Sequence, residues 1–156
     1  MPWFEDMAIG THEELGHYRF TEAEIIDFAR KFDPQYFHVD PVAAAAGPYD
    51  GLIASGWHTV AVWMKLRVAS MRTRATDGDA PAGGPSPGFL DLKWPNPVRP
   101  GDTIRFESTL SEKIELRSRP SWGLIRGRNQ GFNQQGELVL SFIGQAFIPR
   151  KPKPAP

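Results

Sequence analysis

The chain has 156 residues, the length of one ordinary domain around one hydrophobic core. It is 40% hydrophobic, with ten Phe, five Trp and three Tyr to fill an interior, which argues against disorder. Eighteen Lys and Arg balance 18 Asp and Glu, so no global field draws the chain to nucleic acid or an anionic membrane, and the lack of cysteine excludes disulfides, iron–sulfur clusters and a thiol nucleophile.

The first ten residues, MPWFEDMAIG, carry acid where a signal peptide carries base, and no run approaches the roughly 20 apolar residues of a membrane helix. A cytoplasmic protein is expected. Residues 13 to 20 read as a short strand. Thr21 and Glu24 then form a capping-box signature for an amphipathic helix whose apolar members are Ile25, Ile26, Phe28, Ala29 and Phe32. Pro34 ends it at Phe32 or Asp33. A second helix is predicted over Pro41 to Ala46, with Asp40 as N-cap and Gly47 as its stop. The third, from about Trp57 to Met71, is apolar around most of its circumference and reads as buried.

Fifteen Gly and fifteen Pro punctuate the chain, and eleven of these thirty lie between Gly78 and Gly101. That zone divides a helical first half from a half that reads as strand. Residues 72–88 are expected to be a flexible connector, and Pro95, Pro97, Pro100 and Gly101 a turn into the sheet. Ile104, Phe106, Ser108 and Leu110 alternate with polar residues as one strand; Trp122 to Phe132 and Leu138 to Ile148 follow, joined by a turn at Asn133–Gly136. The expected class is α+β, a curved antiparallel sheet folded around one helix. The tail, residues 149–156, is expected to be disordered.

Chemistry must come from histidines, carboxylates and hydroxyls. His12 and His17 lack a patterned partner and are set aside. Asp33 and His38 stand five residues apart in a Pro-containing turn between two helices. They read either as a local helix exit with a packed imidazole or as a general acid–base pair able to grip one water. No second His stands at ligand spacing, so no metal site is expected. Ser55, Gly56 and Trp57 open the buried helix, where free N–H groups and a positive dipole end suit a developing oxyanion; equally, Ser55 is a plain N-cap and Gly56 a relief of crowding. His58 reads as a packing residue. Arg72, Arg74, Lys93 and Arg99 read as solvated charge in preference to phosphate ligands.

In combination, FTEAEIIDFARKFDPQYFHVDPVAAAAGPYDGLIASGWHT, LKWPNPVRPGDTIRFESTL and NQQGELVLSF resemble the MaoC-like dehydratases, the (R)-specific enoyl-CoA hydratase branch of the hot-dog fold, over about residues 15 to 148. The resemblance implies a single hot-dog domain over residues 1–148, with a long central helix wrapped by antiparallel strands. It also implies a homodimer or higher homo-oligomer, an acyl-CoA thioester substrate and no cofactor beyond the CoA of the substrate. It maps the family's catalytic pair onto Asp33 and His38, which would hold a water for syn addition across C2 and C3 of a trans-2-enoyl thioester. Gly56 matches the helix-start glycine whose surrounding amides hold the thioester oxygen. The expected roles are a neutral His38 taking the water proton and a protonated Asp33 supplying C2, although spacing leaves these interchangeable.

Three departures stand out. The common loop Asp-x-Asn-Pro-x-His has Gln35 and Tyr36 for its Asn and Pro, the proline having moved to Pro34. Ser55 replaces a His that often precedes the glycine. Ala61 replaces a Ser whose hydroxyl supports the pair. Two other functions are carried forward: a hot-dog thioesterase, for which the predicted helix 57–71 lacks a carboxylate, and a non-catalytic acyl-CoA-binding subunit.

Overall fold

In the computed structural model, residues 2–73 and 83–152 are described. After a 3₁₀ turn at Phe4–Asp6 come β1 (His12–Arg19), α1 (Glu22–Phe32), α2 (Tyr36–Val39), α3 (Pro41–Ala45), α4 (Gly56–Thr73), β2 (Phe89–Lys93), β3 (Thr103–Glu115), β4 (Trp122–Phe132) and β5 (Leu138–Pro149). The strands form one antiparallel sheet in the order β1-β3-β4-β5-β2, with α4 packed across β1 and β5. This is the expected α+β architecture, a sheet wrapped on a long helix.

Local chemistry explains the helix ends. The Thr21 hydroxyl accepts from the Glu24 amide while the Glu24 carboxylate accepts from the Thr21 amide, closing the predicted capping box. Asp40 accepts from the Val42 and Ala43 amides at 3.0 Å, with Pro41 at the first helical position. The two short strands depart from regular pairing. β1 bulges between Glu14 and Gly16, where Gly16 has φ of 119°. β2, which the sequence reading did not include, shifts register between Leu90 and Lys93 around Asp91 at φ of 53°.

The main core joins Phe20, Ile25, Val62, Trp63, Ile104, Phe106, Leu140 and Phe142. A second cluster, Phe4, Leu110, Ile125 and Ile148, lies further along the long strands. α4 is not buried all round as its composition suggested. His58, Thr59, Val62 and Trp63 face inward, whereas Trp57, Met64 and Val68, a single stripe at spacings of seven and four, are 51%, 48% and 45% exposed. Its apolar residues therefore cover two faces.

Both ends of the expected connector, and the first residues of the expected tail, are placed in the structure. Arg72 and Thr73 belong to α4, and the Gly84 amide donates to the Phe147 carbonyl at 2.9 Å. Residues 74–82, with Arg74, lie outside the described residues. Pro149 ends β5, Arg150 pairs with Glu5 at 2.8 Å and Lys151 with Asp6 at 2.5 Å, so the chain stays attached past the predicted start of the tail. Residues 153–156 lie outside the described residues. Among the described residues no helix is long and apolar enough to cross a membrane.

Candidate active site

Asp33 caps the end of α1, and its amide still donates to Ala29 at 2.8 Å. The chain then folds back in a three-residue turn about Pro34, closed by the Gln35 amide donating to the Asp33 carbonyl at 2.8 Å. The proline ring, with φ held near −65°, suits such a turn. The short α2 follows and carries His38. Four residues cannot hold a helix alone, and cross-links fix this one. The Ile53 amide donates to the Phe37 carbonyl at 3.1 Å, and the Ala54 amide to the Val98 carbonyl at 2.8 Å.

These straps orient the imidazole. His38 Nδ1 donates to the Ile53 carbonyl at 2.8 Å, which fixes the proton on that nitrogen and turns Nε2 toward Asp33 Oδ2, 3.3 Å away. Phe37 meets the ring edge-on at 4.5 Å. The His38 side chain is 6% exposed and that of Asp33 19%, so the predicted pair meets within a largely dry site. A separation of 3.3 Å exceeds the roughly 2.7–2.9 Å of a tight charge-assisted bond, and pairs of this kind tighten on binding substrate or water.

Asp33 has two further partners. Ser55 Oγ donates to Oδ2 at 2.7 Å, and Gln35 Nε2 donates to Oδ1 at 2.8 Å. Burial opposes ionisation of this carboxyl, but the bonds from Ser55 and Gln35 and the nearby imidazole outweigh it and hold Asp33 below its ordinary range. These bonds favour the carboxylate form of Asp33, whereas the expected roles give it the proton.

Ser55, Gly56 and Trp57 separate into different roles. Ser55 is the N-cap of α4 and accepts from the Trp57 amide at 3.3 Å, which commits that amide within the protein and removes it as a free oxyanion donor. The Gly56 N–H finds no backbone acceptor among the described residues and remains available. Gly56 also lines a cleft of about 310 Å³ together with His38, Thr59, Tyr49, Trp94 and Asn96. A side chain at position 56 would collide with the Trp94 ring, whose Nε1 donates to the Gly56 carbonyl at 3.1 Å. The hydroxyl absent at Ala61 is supplied to Asp33 by Ser55, not by Thr59.

Sequence reasoning missed Gln35 as a partner of Asp33, and Tyr49, Trp94 and Asn96 as cleft wall. A Trp among prolines, in WPNP, was the available signal, since such a segment cannot pack its indole as a regular strand does. Trp63 packs edge-on against Phe142 at 4.7 Å in the core. Arg99 donates to the Tyr49 carbonyl at 2.7 Å and so ties two loops, while Arg72 and Lys93 are exposed. His58 is buried against Phe28 and Phe20, as expected of a packing residue. Among the described residues no three His, Asp or Glu side chains converge as a metal site would require.

Residues 6–122 match the model of the MaoC like domain. The chain belongs to the MaoC-like dehydratase family. The MaoC-like dehydratase from Rhodospirillum rubrum superimposes with a TM-score of 0.83 at 35% identity, over 97% of this chain and 99% of that one. The 3-hydroxyacyl-thioester dehydratase Z of Mycobacterium tuberculosis is 30% identical over 109 residues, 67% of this chain and 69% of that protein. Mesaconyl-CoA hydratase of Cereibacter sphaeroides is 40% identical over 73 residues, 44% of this chain, a match spanning only 21% of that longer protein. A conserved Mycobacterium tuberculosis protein described as a double hotdog fold superimposes with a TM-score of 0.72 at 17% identity, over 99% of this chain and 46% of that one, a likeness of fold. This MaoC-like chain is a hot-dog domain of a hydratase and dehydratase family.

Proposed function

We propose that the chain adds water reversibly across the C2=C3 bond of a trans-2-enoyl-CoA thioester, giving a 3-hydroxyacyl-CoA. The observation that carries this reading is the Asp33–His38 pair, 3.3 Å apart, with His38 and Gly56 lining one cleft. In the hydration direction a water is held beside the pair, against Asp33 Oδ1. The Asp33 carboxylate takes one water proton as the oxygen bonds to C3, and the π electrons move toward the thioester carbonyl. The Gly56 N–H steadies the negative charge on that oxygen. The protonated imidazole of His38 delivers a proton from Nε2 to C2, and transfer from Asp33 to His38 restores the pair. One water is consumed and no metal, redox group or acyl-enzyme is required.

The cleft volume is at the small end of ligand pockets and suits a short or compact acyl group. The exposed apolar stripe of α4, with Phe89 and Leu90 of β2 also exposed, supports a homodimer in which a second copy covers it. A CoA thioester substrate suits a cytoplasmic location. The thioesterase reading is weaker, because α4 contributes no carboxylate. Purified protein is expected to hydrate trans-2-enoyl-CoA, read as loss of the enoyl thioester absorbance. Asp33→Asn and His38→Ala should each lower kcat by at least about a hundredfold with an unchanged circular dichroism spectrum. Turnover surviving both substitutions refutes the assignment; tight acyl-CoA binding without turnover in the native chain favours a non-catalytic subunit.

A further inference from the structure

The hydroxyl of Ser55 is fully buried, and the geometry around it allows one arrangement of its single proton. Its oxygen accepts from the Trp57 amide at 3.3 Å, an N–H that can only donate. Its other polar neighbour is Asp33 Oδ2 at 2.7 Å, so the hydroxyl proton points to that oxygen. The result is a directed chain: the Trp57 N–H at the start of α4, then the Ser55 hydroxyl, then the Asp33 carboxylate. Gln35 Nε2 donates to the other carboxylate oxygen at 2.8 Å. Both partners thus offer Asp33 a proton, which favours its ionised form.

We infer that Ser55 is the positioning residue that makes Asp33 the base of the pair, by favouring its ionised form and by aiming it from the start of α4. This rests on the hydratase reading of Asp33 and His38 and goes beyond it, because it assigns the proton roles to a residue that touches neither substrate nor water. His38 is the titratable group facing Asp33; Gln35 and Ser55, its other partners, are neutral. The same hydroxyl couples carboxylate and helix start. Ser55 fixes the first turn of α4, and with it the Gly56 N–H, so one side chain aligns the base and the thioester-oxygen donor. Oδ2 accepts from Ser55 and faces His38, and Oδ1 accepts from Gln35 alone, which leaves Oδ1 the freer acceptor for water.

The test is the Asp33 titration itself, followed by carboxyl carbon NMR in the full-length native protein, Ser55→Ala, Ser55→Gly and Ser55→Thr, with Asp33→Asn to assign the signal. Ser55→Gly removes the hydroxyl but leaves a residue tolerated at an N-cap, so the comparison survives if the Ala variant folds poorly. Loss of the hydroxyl should raise the Asp33 midpoint by about one pH unit. In trans-2-enoyl-CoA hydration the acid limb of the kcat–pH profile should rise with it, kcat at neutral pH should fall about tenfold and KM stay within about twofold. Ser55→Thr should restore both midpoints. An Asp33 midpoint that does not move in a folded Ser55→Gly protein overturns the inference, as does a Thr variant that folds without rescue. If no enoyl-CoA is turned over at all, the hydratase reading fails while the NMR titration still decides the role of Ser55.

Discussion

Replacing Gly56 by Ala tests how closely Trp94 is pressed on the start of α4. An ideal Cβ at position 56 would lie 2.4, 2.6 and 2.7 Å from Cε2, Cδ2 and Nε1 of the Trp94 ring. Carbon contacts relax at about 3.5–4.0 Å, so the indole must retreat by about 1 Å or more, breaking its 3.1 Å bond to the Gly56 carbonyl. Overpacking of this kind costs about 1–3 kcal/mol and the lost bond about 1 kcal/mol. Trp94 is 40% exposed and can swing outward, which sets the expectation near about 2 kcal/mol. The control is Trp94→Ala, because without the indole the added methyl meets no ring and Ala is the better helix former by up to about 1 kcal/mol. Gly56→Ala should therefore be neutral or mildly stabilising in the Trp94→Ala background, giving a coupling of about 2–3 kcal/mol in a double-mutant cycle from urea denaturation. An equal cost of Gly56→Ala in both backgrounds would show that the glycine serves its own backbone and not the ring.

Two further substitutions probe the interior. His58 is buried with Nδ1 unpaired and its ring stacked 4.6 Å from Phe28; burial holds it below its usual range, with Glu24 pulling weakly the other way. A depressed imidazole contributes stability that is complete above the unfolded value near 6.5 and is lost as pH falls toward the folded value. His58→Phe should thus reduce the fall in urea stability between pH 7.5 and 5.5, by up to about 1.4 kcal/mol per pH unit of titration, and an unchanged slope refutes this. At the far end of the sheet, a Cβ on Gly123 would stand 2.2 Å from the buried Phe4 ring, which also carries Lys113 at 4.7 Å. Gly123→Ala should expel that ring at a cost of about 2 kcal/mol, little more being lost when Phe4→Ala is added; full additivity of the two thermal shifts contradicts the contact.

Local signals located much of this fold because they act over a few residues. Thr21 with Glu24, and Asp40 with Pro41, marked helix starts that the hydrogen bonds reproduce. The alternation read at Ile104, Phe106 and Leu110 became alternate burial in β3. Signals that depend on a distant partner were not readable. β2 is a strand because β5 offers it an edge, despite the left-handed Asp91. Composition made α4 look buried on every side, yet its stripe of Trp57, Met64 and Val68 is exposed among the described residues. The N-terminal turn and the residues after β5 are held by Glu5 with Arg150 and Asp6 with Lys151, pairings across the length of the chain that no spacing announces.

The same distinction runs through the site. Asp33 and His38 were visible as a pair because five residues separate them, but how each is held depends on residues 20 and 22 positions from Asp33. The turn at Pro34 aims the carboxyl, and Ile53 fixes the imidazole proton on Nδ1 at 2.8 Å. Ser55, 2.7 Å from Oδ2, supplies the hydroxyl that Ala61 lacks. Residues 53 to 55 therefore work on both members of the pair, and the Ala54–Val98 bond at 2.8 Å anchors that segment to the loop bearing Trp94 and Asn96. Asp33, His38, the start of α4 and the cleft wall are thus tied to one strap of backbone. A substitution that loosens it at Val98, itself 3% exposed, would disturb the Asp33–His38 geometry and the cleft together, whereas change at the exposed Tyr36 or Val42 would not. Natural variation in acyl preference is thus expected to collect in residues 94 to 97, which wall the cleft without carrying the strap.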